Sequence, residues 1–133
     1  RIDVISVDGK CFKRYLAVAK ELNIRTAVIA DNDKNYEKNI LDAYSGFVDG
    51  EYNNIKVFSD RSEDRYTFEV CLYNDNPDIC NSLFGESLRS RTVEEYMIAN
   101  KAECAFQLAS NNPDGLIVPR YIQEAIRWIE TGE

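Results

Sequence analysis

Residues 25–40 read RTAVIADNDKNYEKNI. Ala27, Val28, Ile29 and Ala30 form a continuous apolar run, and Asp31 and Asp33 follow it with one residue between them. An apolar run of this kind, ended by polar turn residues, reads as a strand buried on both faces. Were the chain to stay extended past Ala30, residues i and i+2 would point the same way, with Cα atoms about 6–7 Å apart. Two carboxylates at that range repel by roughly 2–3 kcal/mol at an effective dielectric near 20. Water, a basic neighbour or a divalent cation must offset that repulsion. The carboxyl end of a parallel strand is where open α/β sheets place their ligands, but Asp and Asn also serve a plain solvated turn. The spacing alone leaves both readings open.

Outward from this strand the pattern is α/β. IDVISV at 2–7 predicts a fully buried strand, followed by the turn DGK, and NIKVFS at 54–59 a third strand. Between the first two, CFKRYLAVAKEL places Phe12, Tyr15, Leu16 and Ala19 on one helical face. Strand, helix and strand with near-continuous apolar strands predict parallel pairing covered by helices. DKNYEKNILDAY predicts a short helix and SGFVDGEYNN a loop. From residue 65 onward the chain reads helical, through RYTFEVCLYN, DICNSLF and TVEEYMIANKAECAFQLAS. Ala102, Ala105, Phe106 and Ala109 would form the buried face of the last of these. NNPDG interrupts, Pro119 suits a first helical turn, and Ile122, Ala125, Ile126 and Ile129 outline a closing amphipathic helix. One α/β domain with a helical second half is expected, without internal repeats.

The 133 residues suffice for one domain with a real core, and 44% hydrophobic with 29% charged residues is ordinary for a globular chain. No apolar run approaches a membrane span. Sixteen basic residues stand against 23 acidic ones, a net charge of −7, which argues against nucleic-acid binding by bulk electrostatics. There is no His, and Cys11, Cys71, Cys80 and Cys104 are scattered without a C-x-x-C pair. That pattern fits small buried or half-buried thiols in a reducing cytoplasm better than a zinc site. Other motifs fail on single residues. An EF-hand loop starting at Asp31 would need Gly where Tyr36 stands and a helix where the strand stands. A haloacid-dehalogenase-type phosphatase would want Thr at Asn35, and a receiver-like acidic pair would sit at the end of the first strand.

With IADND in place, the chain resembles a Toprim domain, and more closely the C-terminal nuclease domain of the OLD (overcoming lysogenization defect) family, Gabija-type defence nucleases included. ISVDGKCFKRYLAVAKELNI resembles the strand–Gly–Lys–helix segment before the family's D-x-D. TFE at 67–69 resembles its Thr-hydrophobic-Glu motif, NKAECAFQLA the helix of its catalytic Lys, and VPRYIQEAIRWI its closing helix. The resemblance departs at one point: Toprim domains begin with a strand ending in an essential Glu, and no Glu precedes Glu21. The chain thus reads as a Toprim-like domain without its first strand and helix, the C-terminal fragment of a longer protein with an upstream ATPase domain.

The resemblance implies a metal-dependent DNA endonuclease, with Asp31, Asp33 and Glu69 as ligands of Mg²⁺ or Mn²⁺ in a two-metal arrangement. It implies that Lys101 stabilises charge on the phosphate. It also implies DNA, the ATPase domain and further copies of the chain as partners, in the cytoplasm and away from membranes. From the residues alone, Glu69 reads as an exposed helical carboxylate, Thr67 as a helix cap, and Lys101 as a core-edge lysine. Lys10 and Lys34 are candidate phosphate contacts. The aromatic residues show no stacking strip. A non-catalytic interaction module is the alternative. The isolated chain is expected to fold, to hold Mg²⁺ weakly and not to cut DNA.

Overall fold

The structure is a computed structural model that describes residues 1–7, 11–48, 50, 52–86, 88–111 and 114–133. Helix α1 (Phe12–Glu21) leads into β1 (Thr26–Ile29), a π-helical turn spans Glu37–Asp42, and β2 (Ile55–Phe58) follows. The second half is helical: α2 (Phe68–Asp75), α3 (Pro77–Phe84), α4 (Val93–Ala99), α5 (Lys101–Asn111) and α6 (Arg120–Thr131). β1 and β2 pair in parallel with Thr26 opposite Ile55 and Ile29 opposite Phe58. The architecture is α/β, a small parallel sheet with helices on both faces.

Strand periodicity sorts the residues between the two faces. Ile55 and Val57 join Leu16, Ala19, Ile40 and Tyr44 in a core beneath α1. Phe58 and Ala27 face the other way and pack against Tyr121, Ala125 and Trp128 of α6. A third core lies wholly within the helical half, where Leu72, Cys80, Phe84, Met97, Cys104 and Leu108 meet. Asn76 joins the helical half to the approach to α6. Its side-chain amide donates to the Leu72 and Ile117 carbonyls, and its Oδ1 accepts from Ile117 N–H at 2.7 Å.

Several expectations are corrected. Residues 2–7 form no strand: Val4 is 93% exposed, and Ile2 and Ile5 are exposed too. A strand exists only when its backbone is paired, and among the described residues β1 pairs with β2 alone. Among the described residues the strand before Asp31 is thus one of two in the sheet. Tyr15 lies on the exposed side of α1, not in its core face. The helix read across residues 92–110 is two helices. Asn100, at φ −130° and ψ 49°, ends α4, and its carbonyl accepts the Cys104 N–H that opens α5. In α5 the inward face is Cys104 and Leu108, while Ala102, Ala105, Phe106 and Ala109 are exposed. In α6, Tyr121 and Trp128 turn inward with Ala125, and Ile126 is exposed. Three thiols are buried as expected, whereas Cys11 is exposed. The DGK turn, Lys10 included, and part of NNPDG lie outside the described residues. Among the described residues no helix is long and apolar enough to cross a membrane.

Candidate functional site

The loop after β1 is shaped by Asn32 between the two aspartates. Alternation turns Asn32 inward, where it is 1% exposed. Its Nδ2 donates to the carbonyls of Asp60 and Ser62, both at 2.8 Å, and its Oδ1 accepts from Lys34 N–H at 3.0 Å. Asn39 Nδ2 donates to the Asn32 carbonyl at 2.9 Å, and Asp33 N–H donates to Tyr66 O at 3.0 Å. The loops after β1 and β2 are thereby stapled together. The chain does not remain extended: Asp33 and Lys34 take φ values of 47° and 67°. Consecutive left-handed residues other than Gly are costly and persist where the surroundings over-determine them.

Asp31 faces α2. Thr67 caps this helix, its hydroxyl accepting from Val70 N–H at 3.3 Å, which fixes Glu69 in the first turn. Glu69 is 8% exposed, so the exposed-carboxylate reading fails. Burial, then the charges of Glu69 and Asp33, push the Asp31 carboxyl up to about 6; the Phe68 backbone amide and Lys101 oppose the rise. Lys101 Nζ stands 3.9 Å from Glu69 Oε2, close enough for electrostatic attraction and too far for a hydrogen bond. Glu69 Oε2 is indeed buried without a hydrogen-bond partner. Lys101 is the first residue of α5, the end where a cation is disfavoured by the helix dipole. It shares its helical side with the inward residues Cys104 and Leu108, and its side chain is 58% exposed.

The arrangement brings Asp31 into the field of Asp33, Glu69 and Lys101. It does not close a cage, since among the described residues no three His, Cys, Asp or Glu groups converge as a ready metal site. The donor chemistry still suits a hard cation. An orphaned buried carboxylate oxygen and a crowded aspartate are what an oxygen-seeking ion relieves, and Mg²⁺ commonly takes one or two carboxylates while retaining waters. Lys34 lies elsewhere, its ammonium 4.4 Å from the Tyr66 ring centroid.

Sequence reading passed over two supporting residues. Asn32 was hidden between the more conspicuous aspartates, although period-two alternation already turned it away from them. Arg65 donates to Asp60 Oδ2 at 2.7 Å and forks onto Asp75 at 3.0 and 2.9 Å. These bonds tie the loop after β2 to the end of α2 and raise the guanidinium pKa further. The acidic and basic run DRSEDR at 60–65 was its signal.

The family described as "Overcoming lysogenization defect protein-like, TOPRIM domain" matches residues 1–33, a segment that ends on Asp33. No curated protein and no solved structure matches the chain. The similarity therefore reaches α1, β1 and the paired aspartates, and supports a partial likeness to an OLD-like Toprim domain.

Proposed function

We propose that this chain is the catalytic part of a metal-dependent DNA endonuclease, working within a longer OLD-type protein that carries an upstream ATPase domain and assembles as an oligomer. The observation behind this reading is the uncompensated acidity around Asp31: three carboxylates and one lysine, with Glu69 Oε2 orphaned. Asp31, Asp33 and Glu69 would hold Mg²⁺ or Mn²⁺. Bound there, the cation would supply an activated water and neutralise phosphate charge. The chain's own residues do the rest. Asn32 and Thr67 fix the loop and helix that present the carboxylates, and Lys101 offers a positioned ammonium to the phosphate or the leaving oxygen.

Titration of the chain with Mn²⁺ by calorimetry, beside plasmid nicking by the full-length protein, tests the proposal. Asp31→Asn should weaken Mn²⁺ binding and abolish nicking. Unchanged nicking by that variant would overturn it. The lack of a converged three-ligand group among the described residues favours a second reading, a Toprim-like module that holds an oligomer together without cutting. Metal-independent self-association by a chain inert towards DNA would support that one.

A further inference from the structure

On the face of the sheet covered by α6, a cavity of about 410 Å³ opens beside β2. That volume lies within the range of ligand sites, roughly 300–1,000 Å³. Lys56, Arg61 and Arg127 line it, in a chain whose net charge is −7. Among the described residues none of these three cations has a carboxylate within 4.0 Å. Of the two acidic residues in the wall, Glu124 is already engaged with Arg120 at 2.9 Å, and the other is Glu133. Half-buried Tyr36 and Trp128, which is 8% exposed, are among the aromatic residues of the lining. An adjoining depression of about 600 Å³ shares Tyr36, Lys56, Arg61 and Trp128 with the first. The two depressions thus adjoin along β2 and are taken together as one groove.

We propose that this groove is a nucleotide-binding site that seats the bases and phosphates of a single DNA strand. Unneutralised cations call for an anion, and aromatic rings among them call for a flat, stackable group. A nucleotide unit is both. A paired duplex keeps its bases stacked on one another, so a groove with rings in its wall favours an unpaired strand. The position fits a strand passing the acidic site. Ser59 and Arg61 belong to the loop whose carbonyls at Asp60 and Ser62 are bound by Asn32, so the groove and the aspartates flank the same stapled loop. The residues come from three separate stretches of sequence, which is why no linear strip announced them. The choice of DNA as the polymer rests on the endonuclease reading; the preference for a stackable anion does not.

Trp128 is the sole tryptophan of the chain, and its fluorescence is the reporter. Titration with a short oligothymidylate is run in EDTA at low salt, so that the result is independent of any metal and of cleavage. Saturable quenching is expected, with anisotropy of a labelled oligothymidylate giving the same affinity. Arg61→Ala and Arg127→Ala, both at exposed positions, should each weaken binding about tenfold and lower the salt slope by about one. Tyr36→Ala should weaken oligothymidylate binding while leaving tripolyphosphate, which has no bases, unaffected. Absence of binding, or anisotropy reporting binding while Trp128 stays silent, would overturn the site. Equal affinity for duplex, or for tripolyphosphate, would overturn the nucleotide assignment. Binding in EDTA by a protein that never nicks would keep the groove and remove the endonuclease reading.

Discussion

Lys101 and Asp31 make opposite demands on the fold. Lys101 is 58% exposed in its side chain, so Lys101→Ala should cost about 1 kcal/mol or less. If its ammonium meets the reacting phosphate, the same change removes several kcal/mol of transition-state stabilisation. Nicking by the full-length protein should therefore fall by orders of magnitude with its melting temperature nearly unchanged. A collapsed melt would make Lys101 structural. Asp31 is the reverse case, because its charge strains the fold. Its folded pKa of about 6 stands above the ordinary 3.8, so between those values the folded state holds the proton more tightly than the unfolded chain does. Stability is then lost as pH rises through that window. Asp31→Asn should raise stability at pH 7 by on the order of 1 kcal/mol, after allowance for solvent screening, and by almost nothing at about pH 3, below the ordinary carboxylate value. Melting curves at both pH values check the sign, and added Mg²⁺ should reproduce the gain in the unsubstituted chain at pH 7.

At the scale of elements, α2 and α4 offer a matched pair. Thr67 caps α2 through Val70 N–H, and Thr92 caps α4 in a reciprocal box with Glu95. Each Thr→Ala change should cost about 1 kcal/mol. Only Thr67→Ala should also weaken Mn²⁺ binding, because Glu69 rides on the first turn of α2; calorimetry on both variants separates cap from site. Equal Mn²⁺ affinity in the two would detach Glu69 from the metal. The Thr67 cap, β1, β2, α1 and the parallel sense of the sheet were legible in the sequence, since each rests on local periodicity or a local hydrogen bond. What escaped depended on partners. In α5 four small or aromatic residues outlined a convincing stripe, yet Cys104 and Leu108 faced inward because Met97, Cys80 and Phe84 waited on that side. In α6 the burial of Trp128 and Tyr121 outweighed that of Ile126, as the larger apolar area decides which face turns in. IDVISV has every local mark of a strand, yet among the described residues it has no paired neighbour. Of the candidate site, the spacing marked the paired aspartates and left their role open, whereas burial of Glu69 and the approach of Lys101 to it needed the tertiary structure.

At the scale of the whole molecule, the three cores are not equivalent. The core of Leu72, Cys80, Phe84, Met97, Cys104 and Leu108 belongs to the helical half alone, whereas Cys71 sits with Phe58, Tyr121 and Trp128 against the sheet. Burial pushes the Cys71 thiol up to about 12 and the Cys80 thiol up to about 11. The thiolate is the form that attacks a thiol reagent, so at neutral pH these side chains are almost inert until the surrounding structure opens. Cys11, by contrast, is exposed and should be modified at once. With Cys11 replaced by Ser, the remaining modification becomes a clock for opening events, read residue by residue in a mass spectrometer. Each rate, divided by that of a free thiol, gives the fraction of time its core stands open. If the sheet and the helical half unfold as one cooperative unit, Cys71, Cys80 and Cys104 should all report a single opening constant. If the helical half breathes by itself, Cys80 and Cys104 should react together and well ahead of Cys71. The scatter of cysteines that carried no message as a metal site thus provides one reporter in the sheet-facing core and two in the helical one.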